Sequence, residues 1–322
     1  MLNHEISLII PTYKREDQVK QIIKSLKNQK QNDTSLEVII CDSYSDYNLE
    51  EINNLETNFI IKYFNIKKNI LSSKRNLGIF KSSYKKIILL DDDCIPDQNF
   101  LKNYIKDFMS LDNSTILSGV VEFPDIYVKK YNHIKFRNSK HFKISNLNSN
   151  LYLTLDKIVA MNMGFIKSER FIQTGLFDER FLGYGFEDYE FGYRYLKKGY
   201  KLKGTSARII HDEGEPNFSR YLKKYFHLGR DGMKNLINVD INCAKLSIYY
   251  KIETNMFFKL IMKIPKFYSL LTLIEKSILY LNKVKIMYIP FIYNIARSVA
   301  YIKGYLERHN SNIKEENQGW YE

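Results

Sequence analysis

Cysteine is scarce in this chain. Cys41, Cys94 and Cys243 are the only three, and they lie far apart. That spacing excludes a disulfide scaffold and any CxxC zinc site, and it fits a reducing compartment. No uncharged apolar run approaches the roughly 18 residues of a membrane-spanning helix. The opening MLNHEISLIIPTYKRED has no basic-then-apolar leader of signal-peptide length, so the expectation is no export and a cytoplasmic location. Internal repeats and low-complexity tracts are absent. NDT at 32–34 and NST at 113–115 match the N-glycosylation pattern by chance in an Asn-rich chain. Acidic residues are in the minority, 36 against 49 basic, for a net charge of +13. This balance suits an anionic partner: nucleic acid, nucleotide phosphate or acidic lipid. It is uneven: residues 1–220 hold 33 basic and 28 acidic groups, net +5, and residues 221–322 hold 16 and 8, net +8. With 44% hydrophobic and 26% charged residues, the chain is globular rather than disordered or fibrous. Its 322 residues allow one large domain with an appendage, or two domains.

The first half alternates β-branched runs with amphipathic stretches. Strands are expected at 6–10, 36–42, 58–64 and 85–93, with helices at 16–30, 48–55, 72–84 and 97–109. In the last helix Phe100, Leu101, Tyr104, Ile105 and Phe108 share one side. Strands separated by helices of this length predict βαβ units and a parallel sheet. Continuous apolar runs predict strands covered on both faces. Ligands in such sheets bind beyond the carboxyl ends of the strands. PTYKRED, CDSYSD and DDD all fall at those ends. Residues 122–155 read as irregular and polar, 158–166 as a strand, Phe186–Lys198 as a helix stopped by Gly199, and 206–215 as a short strand with a polar turn.

Four features carry chemistry. Asp91-Asp92-Asp93 closes an apolar strand, where three adjacent carboxylates repel one another. A divalent cation compensates them, Mg²⁺ or Mn²⁺ taking carboxylate, phosphate and water oxygens. In an extended segment Asp91 and Asp93 point one way and Asp92 the other. The competing reading is a solvated acidic turn, with Asp97 near a helix N-cap. Gly183–Glu190 places Glu187 and Asp188 at the first turn of a helix. That is either a charge pattern favoured by the helix dipole or a general base on a Gly-flexed loop. His211 follows ARII; it is either a structural or exposed imidazole, or a ligand to a metal such as Mn²⁺. Arg75, between Lys74 and Asn76, either grips a phosphate or belongs to a solvated helix face.

Taken together, these elements resemble the GT-A glycosyltransferases of family 2, inverting enzymes that use nucleotide-sugars. The likeness covers roughly residues 5–215. "SLIIPTYKRED" resembles the opening strand and loop that contact the nucleotide, which puts Pro11, Thr12, Tyr13 and Arg15 there. "VIICDSYSD" resembles the second strand, whose acid contacts uracil, here Asp42 or its neighbour Ser43. The usual second acid or Asp-Gly-Ser is replaced by Asp42-Ser43-Tyr44-Ser45. "SSKRNLGIFKS" is similar to the Arg-Asn-x-Gly segment, placing Arg75 near the diphosphate. "IILLDDDCIPD" resembles the metal-binding DxD at Asp91 and Asp93, with Asp93 on the metal, Asp91 supporting it, and Asp91 and Asp92 on the donor side. The block from Asn162 to Leu202 resembles the acceptor side, and its Glu-Asp pair is similar to that of galactosyl- and N-acetylgalactosaminyl-transferring branches. The resemblance therefore implies Asp188 as base and His211 in the metal shell. It also implies a GT-A α/β fold over 1–220, with a nucleotide half (1–110) and an acceptor half (111–220). The implied donor is a UDP-sugar and the acceptor a glycan or lipid-linked glycan, for bacterial capsule or other surface-polysaccharide synthesis with Mn²⁺ or Mg²⁺.

Residues 221–322 read as a basic helical region. Met256–Leu306 carries eight basic residues and one acid. Phe257, Leu260, Ile261 and Ile264 share one helical face; Leu270, Leu271, Ile274, Ile278 and Leu281 share another. The region is a subdomain packed on the core, a peripheral surface for an anionic membrane on the inner face of the cytoplasmic membrane, or both. Nucleic acid is not an expected partner, because there is no RNP-type aromatic strand, zinc spacing or basic recognition helix. A metal-dependent nucleotidyltransferase shares the sheet and carboxylates but needs a glycine-rich basic loop that PTYKRED lacks. A non-catalytic sugar- or nucleotide-binding relative would keep the fold without Asp188.

Overall fold

The structure, a computed structural model, describes residues 4–29, 34–44, 57–141, 152–264, 266–284 and 288–310. The short helix expected at 48–55 lies outside them. His4–Thr12 (β1), Thr34–Asp42 (β2), Ile60–Asn65 (β3) and Lys86–Leu90 (β4) form parallel neighbours in the order β3-β2-β1-β4. Along β1 the side chains alternate between two cores. Ile6, Leu8 and Ile10 join one with Val19, Ile22 and Leu26 of Glu16–Lys27 (α1) and the apolar side of Phe100–Met109 (α3). Ile9 joins the other, with Ile79 of Leu71–Lys81 (α2). Both faces are covered, which is why the strand is continuously apolar. Each such fully buried Ile or Leu contributes about 1.5–3 kcal/mol.

The sheet is mixed rather than parallel throughout, which corrects the expectation. Beyond β4 lie Asn162–Ile166 (β7), Thr115–Glu122 (β6), Lys201–His211 (β8) and Cys94–Pro96 (β5). β7 runs antiparallel to both β4 and β6, β6 is parallel to β8, and β5 is antiparallel to β8. A strand buried on both faces has the same apolar run in either direction, so periodicity did not carry the reversal. Residues 122–155 are also not irregular throughout: Asp125–Lys130 (α4) and Asn132–Asn138 (α5) are helical, and 142–151 lie outside the described residues. Glu169–Thr174 (α6) follows β7, and Glu187–Lys197 (α7) precedes β8. The sheet is thus flanked by helices and followed by C-terminal helices.

The chain forms two interleaved compact units. The first holds the described residues within 1–124, 140–179 and 191–213; the second holds those within 125–139, 180–190 and 214–322. The uninterrupted stretch expected for 1–220 thus alternates between them. In the second unit, Phe218–His227 (α8) continues through a π-turn, Leu228–Gly232, into Met233–Val239 (α9). Ile241–Leu246 (α10), Ile248–Thr254 (α11), Met256–Ile261 (α12), Phe267–Val284 (α13) and Pro290–Asn310 (α14) follow. The core of this unit gathers Phe136, Phe218, Leu222, Ile278, Tyr293 and Ala296.

Candidate active site

The carboxyl ends of β1, β2 and β4 bring the first set of polar residues together. Thr12 is in register with Asp42. Pro11, buried, lies past the last β1–β4 pair, Ile9–Leu89, where a missing N–H costs that ladder nothing. The chain then turns through Lys14 at φ 55° and presents Arg15. β4 stops at Leu90, and the Asp triplet forms a turn closed by the Cys94 N–H donating to the Asp91 carbonyl at 3.1 Å. This corrects the extended-strand expectation: the three carboxylates do not simply alternate. Asp91 pairs with Arg75 at 3.0 Å. Asp92 is buried, accepting from the Thr12 hydroxyl at 2.9 Å and from Arg15 at 2.9 Å. Asp93 accepts from the same Arg15 nitrogen at 2.7 Å. Burial raises the Asp92 carboxyl well above its ordinary range; Asp93 and Asp91 push it further, against the pull of Arg15.

The antiparallel β5–β8 pair completes the site. Cys94 sits opposite His211, and the Asp212 N–H donates to the Asp93 carbonyl at 2.8 Å. His211 is thereby laid beside Asp93, although 118 positions separate them. Its Nε2 is 3.4 Å from an Asp93 oxygen and 3.5 Å from a Glu213 oxygen. One ligand atom from each of Asp93, His211 and Glu213 lies within 4.8 Å of the others. The His211 ring rests against Phe123 and is 5% exposed. Two carboxylates and an imidazole fit a divalent cation of the Mn²⁺ or Mg²⁺ type, with positions left for phosphate oxygens and water. Glu213 was missed in the sequence. Its signal was the two-residue spacing from His211, which sets two side chains on one side of an extended segment.

On the nucleotide side, Asp42 accepts from the Tyr44 N–H and the Tyr63 hydroxyl, each at 3.0 Å. Burial raises its carboxyl despite these bonds. Ser43 donates to Asn69 at 2.9 Å. Lys74, weighed in the sequence only as a neighbour of Arg75, is buried beneath this ledge. Its ammonium donates to the Thr12 carbonyl at 2.7 Å and to Asn69 at 2.6 Å. Burial lowers it to about 8, against the pull of Asp42 and Asp92. Tyr13 meets Tyr44 edge-on at 6.0 Å, with Lys14 5.2 Å from the Tyr13 ring centre, an aromatic pair suited to a planar base. Arg75 is 2% exposed and lies over Phe177 at 5.3 Å, so it is no solvated helix face. Asn76 holds the Phe177 backbone with bonds of 2.9 and 3.0 Å.

Asp188 belongs to the second unit, which the other predicted site residues do not. Gly185 at φ 91° and Phe186 at φ 72° turn the chain into α7, whose first turn carries Glu187, Asp188 and Glu190. A left-handed Phe costs about 1–3 kcal/mol and is retained where surrounding structure demands it. Glu190 is 3% exposed, whereas Glu187 and Asp188 are half-buried and reachable by solvent.

Comparison with known proteins agrees with the GT-A α/β fold expected from the sequence. Residues 7–171 match the model of glycosyl transferase family 2. Chondroitin synthase of Escherichia coli is 27% identical over 245 residues, covering 66% of this chain and 35% of that protein. The chain thus spans about a third of that relative's length. Among solved structures, the mannosyltransferase PcManGT from Pyrobaculum calidifontis, in complex with GDP-Man and Mn²⁺, superposes with a TM-score of 0.56 at 12% identity. It covers 96% of this chain and 88% of that one. Staphylococcus aureus TarS 1–349 in complex with UDP-GlcNAc gives 0.51 at 15% identity, over 94% and 90%. The family model, which spans half of the sequence, shows that the chain belongs to glycosyl transferase family 2.

Proposed function

We propose that this glycosyltransferase moves a hexose or N-acetylhexosamine from a UDP-sugar to a saccharide or lipid-linked saccharide acceptor, with a divalent cation, in the synthesis of a bacterial surface polysaccharide. The observation that carries the reading is the Asp93–His211–Glu213 cluster at the carboxyl end of the sheet, beside the Arg15 and Arg75 guanidinium groups. The similarity to a protein named chondroitin synthase favours sugar-polymer chemistry, and TarS, of the same fold, is titled with UDP-GlcNAc. Tyr13 and Tyr44 hold the base, Arg15 and Arg75 the diphosphate. Asp188 takes the proton of an acceptor hydroxyl as its oxygen bonds to the anomeric carbon. The bond from that carbon to the UDP oxygen breaks, and UDP leaves with the electron pair. One displacement inverts the centre, so an α-linked donor gives a β-linked product. When bound at Asp93, His211 and Glu213, the cation supplies neutralisation of charge on the diphosphate.

Calorimetry of UDP binding tests the metal site. Wild type with Mn²⁺ should bind UDP, and chelator or Asp93→Ala should weaken it on the order of a hundredfold, since even supporting residues around a metal are worth about 10–100-fold. Equal affinity in all three conditions would sink the proposal.

A further inference from the structure

α13 is buried on one side only. Leu271, Ile274 and Ile278 pack inward with Ile295, Val299 and Ile302 of α14 and their neighbours. On the other side Leu270, Leu273, Tyr280 and Leu281 stand 50–68% exposed. The spacing 270, 273, 280 repeats along one helical face, so this is a second apolar stripe and not a scatter of surface residues. Just ahead, Met256 and Phe257 of α12 are 77% and 72% exposed. Apart from one paired acid, the charges on this stretch have one sign. Lys259, Lys263, Lys266, Lys276 and Lys283 are exposed and form no ion pair among the described residues. Glu275, the one acid in Met256–Leu306, is already paired with Lys303.

We propose that the outward face of α13, with the exposed side chains of α12, docks on an anionic lipid bilayer. Large apolar side chains enter the headgroup boundary while lysine stems extend along them and place their ammonium groups at lipid phosphates. A second copy of this chain fits less well, because a two-fold contact sets lysine against lysine. No helix among the described residues is long and apolar enough to cross the bilayer, so the helix lies on it. The inference is separate from the donor chemistry. The test is co-sedimentation of the full chain with phosphatidylcholine vesicles, alone or with added phosphatidylglycerol, at low and high salt. Binding is expected only with the acidic lipid and should weaken with salt. Lys276→Gln with Lys283→Gln should lower it about thirtyfold, at about 1 kcal/mol for each lysine. Leu270→Ser with Leu273→Ser should also lower it. Both variants should keep wild-type UDP affinity, which shows that they fold. Binding that ignores lipid charge, variants that bind as wild type, or no binding at all overturns the proposal. A dimer in sedimentation velocity that the leucine variant abolishes also overturns it, and gives the face to a second copy.

Discussion

Lys74 places an ammonium where only 1% of the residue is exposed, beneath the Thr12 carbonyl. The unfolded chain holds that proton to about pH 10.5, the folded chain only to about 8. Between these values the unfolded state binds more protons, so folding gains as pH rises. The shift corresponds to about 3 kcal/mol. The stability of wild type minus that of Lys74→Met, from denaturant unfolding at several pH values, should therefore rise by about that much from pH 8 to 10.5. A flat difference would mean an ordinary lysine. Asp188 is the other residue whose role rests on chemistry. Asp188→Asn keeps size and hydrogen bonding but loses the proton acceptor. Transfer should slow by about 10²–10⁴-fold with UDP affinity kept, as expected for removal of a base. A near-normal rate would move the assignment to Glu187, since Glu190 is buried.

Among the elements, the crossing of α14 with α8 and its π-turn depends on two glycines. A Cβ on Gly304 would lie 1.9 Å from the Phe226 carbonyl oxygen, and one on Gly229 would lie 2.0 Å from that of Tyr301. Both obstacles are backbone, so the helices would have to separate. Gly304→Ala should destabilise by about 1–3 kcal/mol. A fall of several degrees in Tm would register it; an unchanged Tm would show that the helices can part at no cost. β5 is the shortest strand yet has the largest consequence for the site, since its pairing with β8 aligns Asp93 with His211. Three residues with one proline carry no periodicity, so nothing in the sequence announced it.

For the whole molecule, the described residues within 125–139, 180–190 and 214–322 form the second unit, and they alternate along the sequence with the stretches that build the sheet. A contiguous stretch such as the 1–220 implied by the resemblance does not describe such interleaving, because contacts between distant stretches set it. The sequence by itself determined the strands β1 to β4 and the helices α1, α2, α3 and α7, because periodic apolar residues and a stop such as Gly199 act locally. It also determined that carboxylates collect at strand ends, since the apolar runs stop where the acids begin. All three cysteines are buried as free thiols. Tertiary structure alone decided the antiparallel β7, the turn that sends Asp91 to Arg75 and Asp92 to Thr12, and the burial of Lys74. It also decided the meeting of Asp93, His211 and Glu213, because that depends on which edge of the sheet accepts β8 and β5. Such a choice is made by long-range pairing, and a side-chain pattern that reads the same for either strand direction does not encode it.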